Sequence, residues 1–381
     1  MNKTFEYRLE PNGRQKKKMG EVLEACRSVY NWALEDRKNL YEKYRVNTNY
    51  SDQCRYFNFI KTEEAKEIYQ HALQDSLKRC DKAFQNFFRR CKAKQNPGYP
   101  RFRGAGWYDS FTFPEAGKGG AILEGERLML SGIGRVRIIL HRPTEGKMKT
   151  CTVKKKADGW YASFSCELPD AATNELDNPI GIDVGIKNFV VLSNGEKIEN
   201  PKLFVKSQKK LGHYQRMMEK KKKGGQNRED AKHLVALQYL KVARERKDFH
   251  FKLAKKLVDK YNPIVVEDLN ISGMAKNVRL SKSIYDAGWG QFISMIMNKA
   301  ENAGSKIFKI SAIGTSQTCS SCGRKVPKKL SQRTHLCPFC GLKMDRDENA
   351  AINILQKWSG RPFGEGIVLG ASLMTQEASG L

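Results

Sequence analysis

No stretch of this chain approaches the roughly 18 to 20 consecutive apolar residues that a membrane-spanning helix needs. The opening residues Met1-Asn-Lys-Thr-Phe-Glu6 hold no apolar core of the signal-peptide kind. Membrane insertion and export are therefore not expected, and a cytoplasmic protein is. Acid is the second shortage: 41 Asp and Glu stand against 69 Lys and Arg in 381 residues, a formal net charge of +28. Solubility alone does not call for such an imbalance, which runs through nearly every segment and points to a polyanionic partner, with nucleic acid the expected one. What reads long DNA sequences in many proteins is also missing, since the sequence shows no helix-turn-helix signature, C2H2 finger or basic zipper. Phosphate contacts alone carry no sequence information, so a protein of this kind can leave sequence choice to base pairing by a bound RNA.

Ten cysteines are present, and six of them (Cys26, Cys54, Cys80, Cys91, Cys151 and Cys166) follow no spacing. They read as small buried hydrophobes in a reducing compartment. The other four form Cys319-Ser-Ser-Cys322 and Cys337-Pro-Phe-Cys340, two Cys-x-x-Cys pairs each followed by glycine. Four thiolates from two such knuckles close a tetrahedral structural Zn²⁺ site, and a pair of disulfides is the weaker alternative in a reducing compartment. A closed site leaves zinc no open position, so its work is to rigidify the basic loop Lys325 to Arg333 and not to catalyse.

Three acids sit where acids are costly. Ile180-Gly-Ile-Asp-Val-Gly-Ile-Lys-Asn-Phe-Val-Val-Leu192 is a β-branched apolar run containing Asp183, followed by the turn signal Ser193-Asn194-Gly195 before Lys197-Ile198. A carboxylate there faces water at a strand edge or needs a cation. Pro263-Ile-Val-Val-Glu-Asp-Leu269 repeats the pattern as a short strand ending in Glu267, and Met344-Asp-Arg-Asp-Glu-Asn-Ala-Ala-Ile-Asn-Ile354 begins an apolar helix with acids, among them Asp345 and Asp347. The ordinary role for Asp347 is an N-cap. Three carboxylates on separate elements also suit two Mg²⁺ ions about 3.5–4 Å apart.

Asn2 to Leu9 reads as a strand, and Arg14 onward as an amphipathic helix with Met19, Val22, Cys26, Val29 and Ala33 inward. A second helix presents Leu73, Leu77, Cys80, Phe84, Phe87, Phe88 and Cys91 as one apolar stripe flanked by basic residues. Tyr99, Arg101, Phe102 and Arg103 interleave aromatic and basic side chains, a composition for nucleic-acid binding or a tethering linker. Alternation at Val136 and Ile138, and from Trp160 to Leu168 after Asp158-Gly159, predicts a small antiparallel β domain. Lys202 to Lys260 is a basic helical stretch broken at Lys220-Lys-Lys-Lys-Gly-Gly225, with His250 on an apolar face as a packing histidine. A helix follows over Trp289 to Ala303, with Phe292, Ile293, Ile296 and Met297 inward, and then a strand over Lys306 to Ile310.

Gly181-Ile-Asp-Val-Gly185, Val266-Glu-Asp-Leu-Asn270, Thr315-Ser-Gln-Thr-Cys-Ser-Ser-Cys-Gly323 with Cys337-Pro-Phe-Cys-Gly341, and Asp345-Arg-Asp-Glu-Asn-Ala-Ala351 together resemble the TnpB (OrfB) nucleases of bacterial insertion sequences, relatives of the compact type V CRISPR effectors. The resemblance runs nearly end to end. It implies an α/β RuvC-type, RNase H-like nuclease domain with an inserted zinc ribbon, plus an N-terminal wedge β-barrel interrupted by a helical recognition block. The implied boundaries are residues 1–10 and 101–175 for the wedge and 11–100 for the helical block. The nuclease would take 176–310 and 343–358, the target-nucleic-acid-binding ribbon 311–342, and a disordered tail 359–381. Carried over residue by residue, Asp183, Glu267 and Asp347 are the catalytic, Mg²⁺-binding acids, Asp345 is the lesser candidate for third acid, and Arg333 is a phosphate-binding auxiliary. The activity implied is transposon-linked, RNA-guided cleavage of double-stranded DNA beside a short flanking motif, by a monomer acting at the nucleoid with a guide RNA from the element's end. Rival readings are a guide-free, structure-specific RuvC-like nuclease, a DDE-type transposase and a transposon-encoded binding regulator. The retained acids weigh against the last, and the ribbon between the second and third acids weighs against the DDE type.

Overall fold

The computed structural model describes residues 1–60, 68–329 and 332–360. They form two compact units, Met1–Pro169 and Asp170 onward. The expected tail at 359–381 falls outside the described residues from 361 on. Residues 330 and 331 of the basic loop also fall outside them.

The first unit opens with β1 (Asn2–Glu10), where Phe5, Tyr7 and Leu9 alternate inward and are buried. Asn12 then starts α1 (Gly13–Tyr44): its side chain accepts from the Gln15 amide while the Gln15 side chain accepts from the Asn12 amide. This reciprocal capping satisfies two amides that a helix start leaves without partners. Helices α2 (Tyr50–Ile60) and α3 (Gln70–Lys92) follow, and only then do β2 (Ser110–Phe113), β3 (Ala121–Glu124), β4 (Arg127–Leu130), β5 (Gly134–Ile139), β6 (Lys147–Lys156) and β7 (Gly159–Glu167). The seven strands make one antiparallel sheet in the order β2-β6-β7-β1-β5-β4-β3, so β1 sits at its centre although three helices separate it in sequence from the next strand.

Two expectations for this unit need correction. The apolar stripe of α3 is core only through Phe84, because Phe88 is 51% exposed and Cys91 lies on the surface. Past Phe84 the stripe is covered in part by Tyr99, edge-on to Phe87, while Phe88 and Cys91 face outward. Of the six unpatterned cysteines, Cys26, Cys80, Cys151 and Cys166 are buried, Cys54 is half-buried and Cys91 is exposed. All ten cysteines are unpaired.

The second unit is a mixed sheet in the order β10-β9-β8-β11-β12, built from β8 (Ile180–Val184), β9 (Asn188–Leu192), β10 (Lys197–Glu199), β11 (Ile264–Asp268) and β12 (Ile307–Ser311). Strands β8, β11 and β12 run parallel, and β8, β9 and β10 form an antiparallel meander. The apolar run expected as one strand is thus two, folded back at Gly185-Ile-Lys187, and the Ser193–Gly195 turn joins β9 to β10. Helices α4 (Leu203–Glu219), α5 (Gln226–Lys260), α6 (Ile271–Met274), α7 (Val278–Ala287) and α8 (Trp289–Asn302) lie between the strands in sequence. A two-stranded ribbon, β13 (Thr334–Leu336) and β14 (Lys343–Asp345), leads into α9 (Arg346–Ser359).

Both sheet faces are covered. Ile180, Ile182, Ile264 and Val266 join Leu257, Val258, Phe292 and Ile296 of α5 and α8 in one core. On the other face Val265 packs with Ile354 and Leu355 of α9. Met297, expected inward, is 41% exposed, since α8 turns Phe292, Ile296 and Ala300 to the sheet instead. His250 packs as expected: it is buried, stacks on Phe189 with ring centroids 5.1 Å apart, and places Nε2 3.0 Å from the Ala287 carbonyl.

Candidate active site

Successive side chains on a strand point to opposite faces. Ile182 and Val266 face α5 and α8, so Asp183 and Glu267 emerge on the α9 face, at the carboxyl ends of two neighbouring parallel strands whose last register pair is Val266 with Ile182. Clefts at the carboxyl ends of parallel strands are where open α/β sheets hold ligands. Helix α9 comes close enough to complete the site because β8 carries glycine where the two cross. A Cβ at Gly181 would meet the Ala351 carbonyl oxygen at 2.2 Å and Leu355 Cβ at 3.0 Å. Asp347 lies one helical turn before Ala351, in the first turn of α9.

The N-cap of α9 is Asp345, whose carboxylate accepts from the amides of Asp347, at 2.9 Å, and Glu348. The ordinary capping role is therefore filled two residues upstream of Asp347. Burial pushes the Asp345 carboxyl up, but the two amides and Lys197, 3.2 Å away, outweigh it and hold it below the usual range. Asp347 is 8% exposed and faces two guanidinium groups: Arg346 donates to Oδ1 from Nε at 3.0 Å and Nη2 at 2.8 Å, and Arg333 Nη1 lies 3.5 Å from Oδ2. Glu267 accepts from the Thr315 hydroxyl. Its carboxyl is raised by burial and brought partly back by that hydrogen bond and by Lys357.

Asp183 is shifted further. Burial first, then the charges of Glu267 and Asp347, push its carboxyl well above the ordinary carboxylate range, with Arg346 opposing. Two carboxylates that act on a third, buried one in this way form an arrangement whose chemistry suits a cation. Among the described residues the three acids do not form a cluster with all ligand oxygens within 4.8 Å of one another.

The four cysteines do form such a cluster, with every Sγ within 4.8 Å of the others. Cys319 and Cys340, and Cys322 and Cys337, have Sγ atoms 3.6 Å apart. A disulfide needs about 2.05 Å, whereas the edge of a tetrahedron with Zn–S bonds of about 2.3 Å is about 3.8 Å. Each knuckle is closed by the following glycine, whose amide donates to the first cysteine carbonyl: Gly323 to Cys319 at 2.9 Å and Gly341 to Cys337 at 3.0 Å. Both glycines have φ near +70°, the left-handed region that a side chain rarely adopts.

The structure thus brings Asp183, Glu267 and Asp347 together, sets Arg333 against Asp347, and gathers the four cysteines. Tyr99, Arg101, Phe102 and Arg103 belong to the other unit. There Tyr99 packs edge-on against Phe84 and Phe87, Phe102 is exposed, and the Arg103 backbone is pinned by Asn31 and Arg27. Arg346, Thr315 and Lys197 contact the acids but were not singled out from the sequence. Arg346 and Thr315 lie inside motifs already noted for other residues, and Lys197 had no signal beyond following a turn.

Three family models match the chain. One described as "Probable transposase" (OrfB_IS605) covers residues 163–278, and one described as "Cas12f1-like, TNB domain" covers 289–354. The first spans Asp183 and Glu267, and the second spans the cysteines and Asp347. A third, described as "Helix-turn-helix domain" (HTH_OrfB_IS605), covers 1–45 and corrects the reading that the sequence shows no helix-turn-helix signature; in the structure the segment is one strand and a single 32-residue helix. Among curated proteins, the Escherichia coli "Putative RNA-guided DNA endonuclease InsQ" is 30% identical over 372 residues, covering 92% of this chain and 91% of its own length. A Streptomyces pristinaespiralis protein with the description "Putative RNA-guided DNA endonuclease" is 32% identical, covering 93% and 89%. The "CRISPR-associated endodeoxyribonuclease Cas12f1" of Sulfoacidibacillus thermotolerans is 28% identical over about half of each chain, 51% and 49%.

Proposed function

The chain belongs to the TnpB (OrfB) family, and from that premise we propose that it is an RNA-guided DNA endonuclease whose catalytic acids are Asp183, Glu267 and Asp347. The observation that carries the reading is the convergence of those three carboxylates, from two strand ends and a helix start, so that the charges of Glu267 and Asp347 act on buried Asp183. Bound there, two Mg²⁺ ions would activate the attacking water and stabilise the leaving 3′ oxygen of the phosphodiester. The chain's own residues do the rest. Asp183 and Glu267 hold their positions from a rigid sheet, and Asp347 is oriented by Arg346. Arg333 stands at the surface beside Asp347, where it can pair with an incoming phosphate.

In this reading the second unit is a RuvC-type nuclease, RNase H-like in its five-stranded sheet, with the cysteine module as a zinc ribbon inserted before the last acid. The antiparallel sheet of the first unit is the wedge, and α1–α3 are the recognition block. The excess of 28 positive charges serves a guide RNA derived from the end of the mobile element and a double-stranded DNA target. The protein acts as a monomer at the nucleoid. No helix among the described residues is long and apolar enough to cross a membrane.

The competing reading is a nuclease that recognises DNA structure without a guide. Purified protein freed of RNA, incubated with branched DNA and Mg²⁺, is expected to leave it intact, and efficient cutting would establish the competitor. The same preparation is expected to contain one zinc per chain by elemental analysis, and Cys319→Ser to contain none. A zinc-free native protein would refute the ribbon.

A further inference from the structure

The loop from Thr315 to Ser320 touches Glu267 and the helix that bears Asp347, and it also carries Cys319, the first cysteine of the four. Thr315 is 2% exposed, and its hydroxyl donates to Glu267 Oε1. The rest of the loop is gripped by α9, the helix that bears Asp347. Asn349 donates to the Thr318 carbonyl at 2.8 Å and accepts from the Ser320 amide at 3.0 Å. Asn353 donates to the carbonyls of Thr315 and Thr318, each at 2.7 Å, and Gln356 donates to the Ser320 carbonyl at 3.0 Å. These three amides recur at spacings of four and three, hence along one helix face, and all are buried.

Buried amides of this kind specify geometry, because a shifted loop leaves each with an unmade hydrogen bond in a dry environment. The threonine adds direction. A β-branched side chain has few χ1 wells, so a fixed Thr315 backbone fixes its hydroxyl, which then orients a glutamate that otherwise has three rotatable bonds. On the assignment of Glu267 and Asp347 as catalytic acids, we infer that Thr315 is a positioning residue, through which the zinc-bearing loop sets the orientation of Glu267 relative to Asp347. The ribbon is then more than a neighbouring module: the loop that presents Cys319 also frames the acid cluster.

The test compares Thr315→Val, which replaces the hydroxyl with a methyl group of similar size, with Thr315→Ser, which keeps the hydroxyl. Both are made in the full chain loaded with its RNA. Thr315→Val is expected to keep one zinc per chain and to bind target as the unaltered protein does. Its single-turnover cleavage should fall about 10- to 100-fold, and half-saturation by Mn²⁺, read by electron paramagnetic resonance, should move to about tenfold higher concentration. Thr315→Ser is expected to recover most of both losses. Unchanged cleavage and Mn²⁺ binding in Thr315→Val would overturn the inference, and so would a Thr315→Ser variant as impaired as Thr315→Val. Loss of zinc in Thr315→Val would overturn it as well, since the residue would then serve ribbon folding. The underlying assignment fails separately, if the unaltered protein does not cut or if Glu267→Gln cuts normally.

Discussion

Asp183→Ala is expected to abolish cleavage, by about 1,000-fold or more, while guide and target binding stay within roughly twofold. A factor of 1,000 corresponds to about 4 kcal/mol of transition-state stabilisation, a reasonable share for a residue that holds a catalytic cation. Binding is spared because nucleic acid is held mainly through phosphates by basic residues, and Asp183 is an acid on the inner face of a sheet. Equal loss of binding and cleavage would remove Asp183 from the active site. A second readout separates a functional acid from a structural one. The carboxyl of Asp183 is pushed up by burial and by its two acidic neighbours. In metal-free protein the folded state therefore binds its proton more tightly than the unfolded chain does. Its contribution to stability is present below the unfolded value of about 4 and is lost as the pH rises. Asp183→Asn removes that penalty, so the metal-free transition at neutral pH should rise. A structural acid would give a fall instead.

Gly181→Ala is expected to damage cleavage as well, through a residue with no chemistry of its own. The added Cβ would lie 2.2 Å from the Ala351 carbonyl oxygen and 3.0 Å from the Leu355 amide nitrogen, so backbone must move. The strand cannot retreat easily, since Gly181 exchanges hydrogen bonds with Ser193, at 3.1 Å from its amide and 3.0 Å to its carbonyl. Helix α9 must give way, and Asp347 moves with it. Overpacking of this kind costs about 1–3 kcal/mol, and a shift of about 1 Å in a catalytic group can cost about 100-fold in rate. A lower melting temperature, retained zinc and cleavage reduced more than tenfold are the expected results. Normal stability and rate would show that α9 does not approach β8 as described.

Much of the site is legible in the sequence because its parts are anomalous where they stand. Asp183 and Glu267 are acids in β-branched runs, and four cysteines repeat a spacing that scattered cysteines do not. The rest is hidden for physical reasons. The fold-back between β8 and β9 uses Gly185-Ile-Lys187, which lacks an Asn-Gly or Asp-Gly pair and sits inside a β-branched run, so two strands read as one. The choice between Asp345 and Asp347 depends on which carboxylate reaches the free amides of α9, and residues two apart look alike until the cap is seen. Asn349, Asn353 and Gln356 sit in a helix that reads as apolar, and their role appears only when the Thr315–Ser320 loop folds against them. Phe88, Cys91 and Met297 show the opposite failure: apolar side chains that fit the helical period stand exposed, Met297 because α8 turns Ile296 and Ala300 to the sheet instead.

The most direct test of the central claim, that a bound RNA chooses the target and these acids cut it, changes only the guide. Protein is prepared with two RNAs that differ solely in the guide segment. Each preparation is assayed on plasmids that carry either matching sequence beside the same flanking motif, in Mg²⁺, with Asp183→Ala as control. The account predicts a double-strand break only where guide and plasmid match, and none in the control. Cuts that remain at the original sequence after the guide is changed, or that appear without RNA, would contradict it.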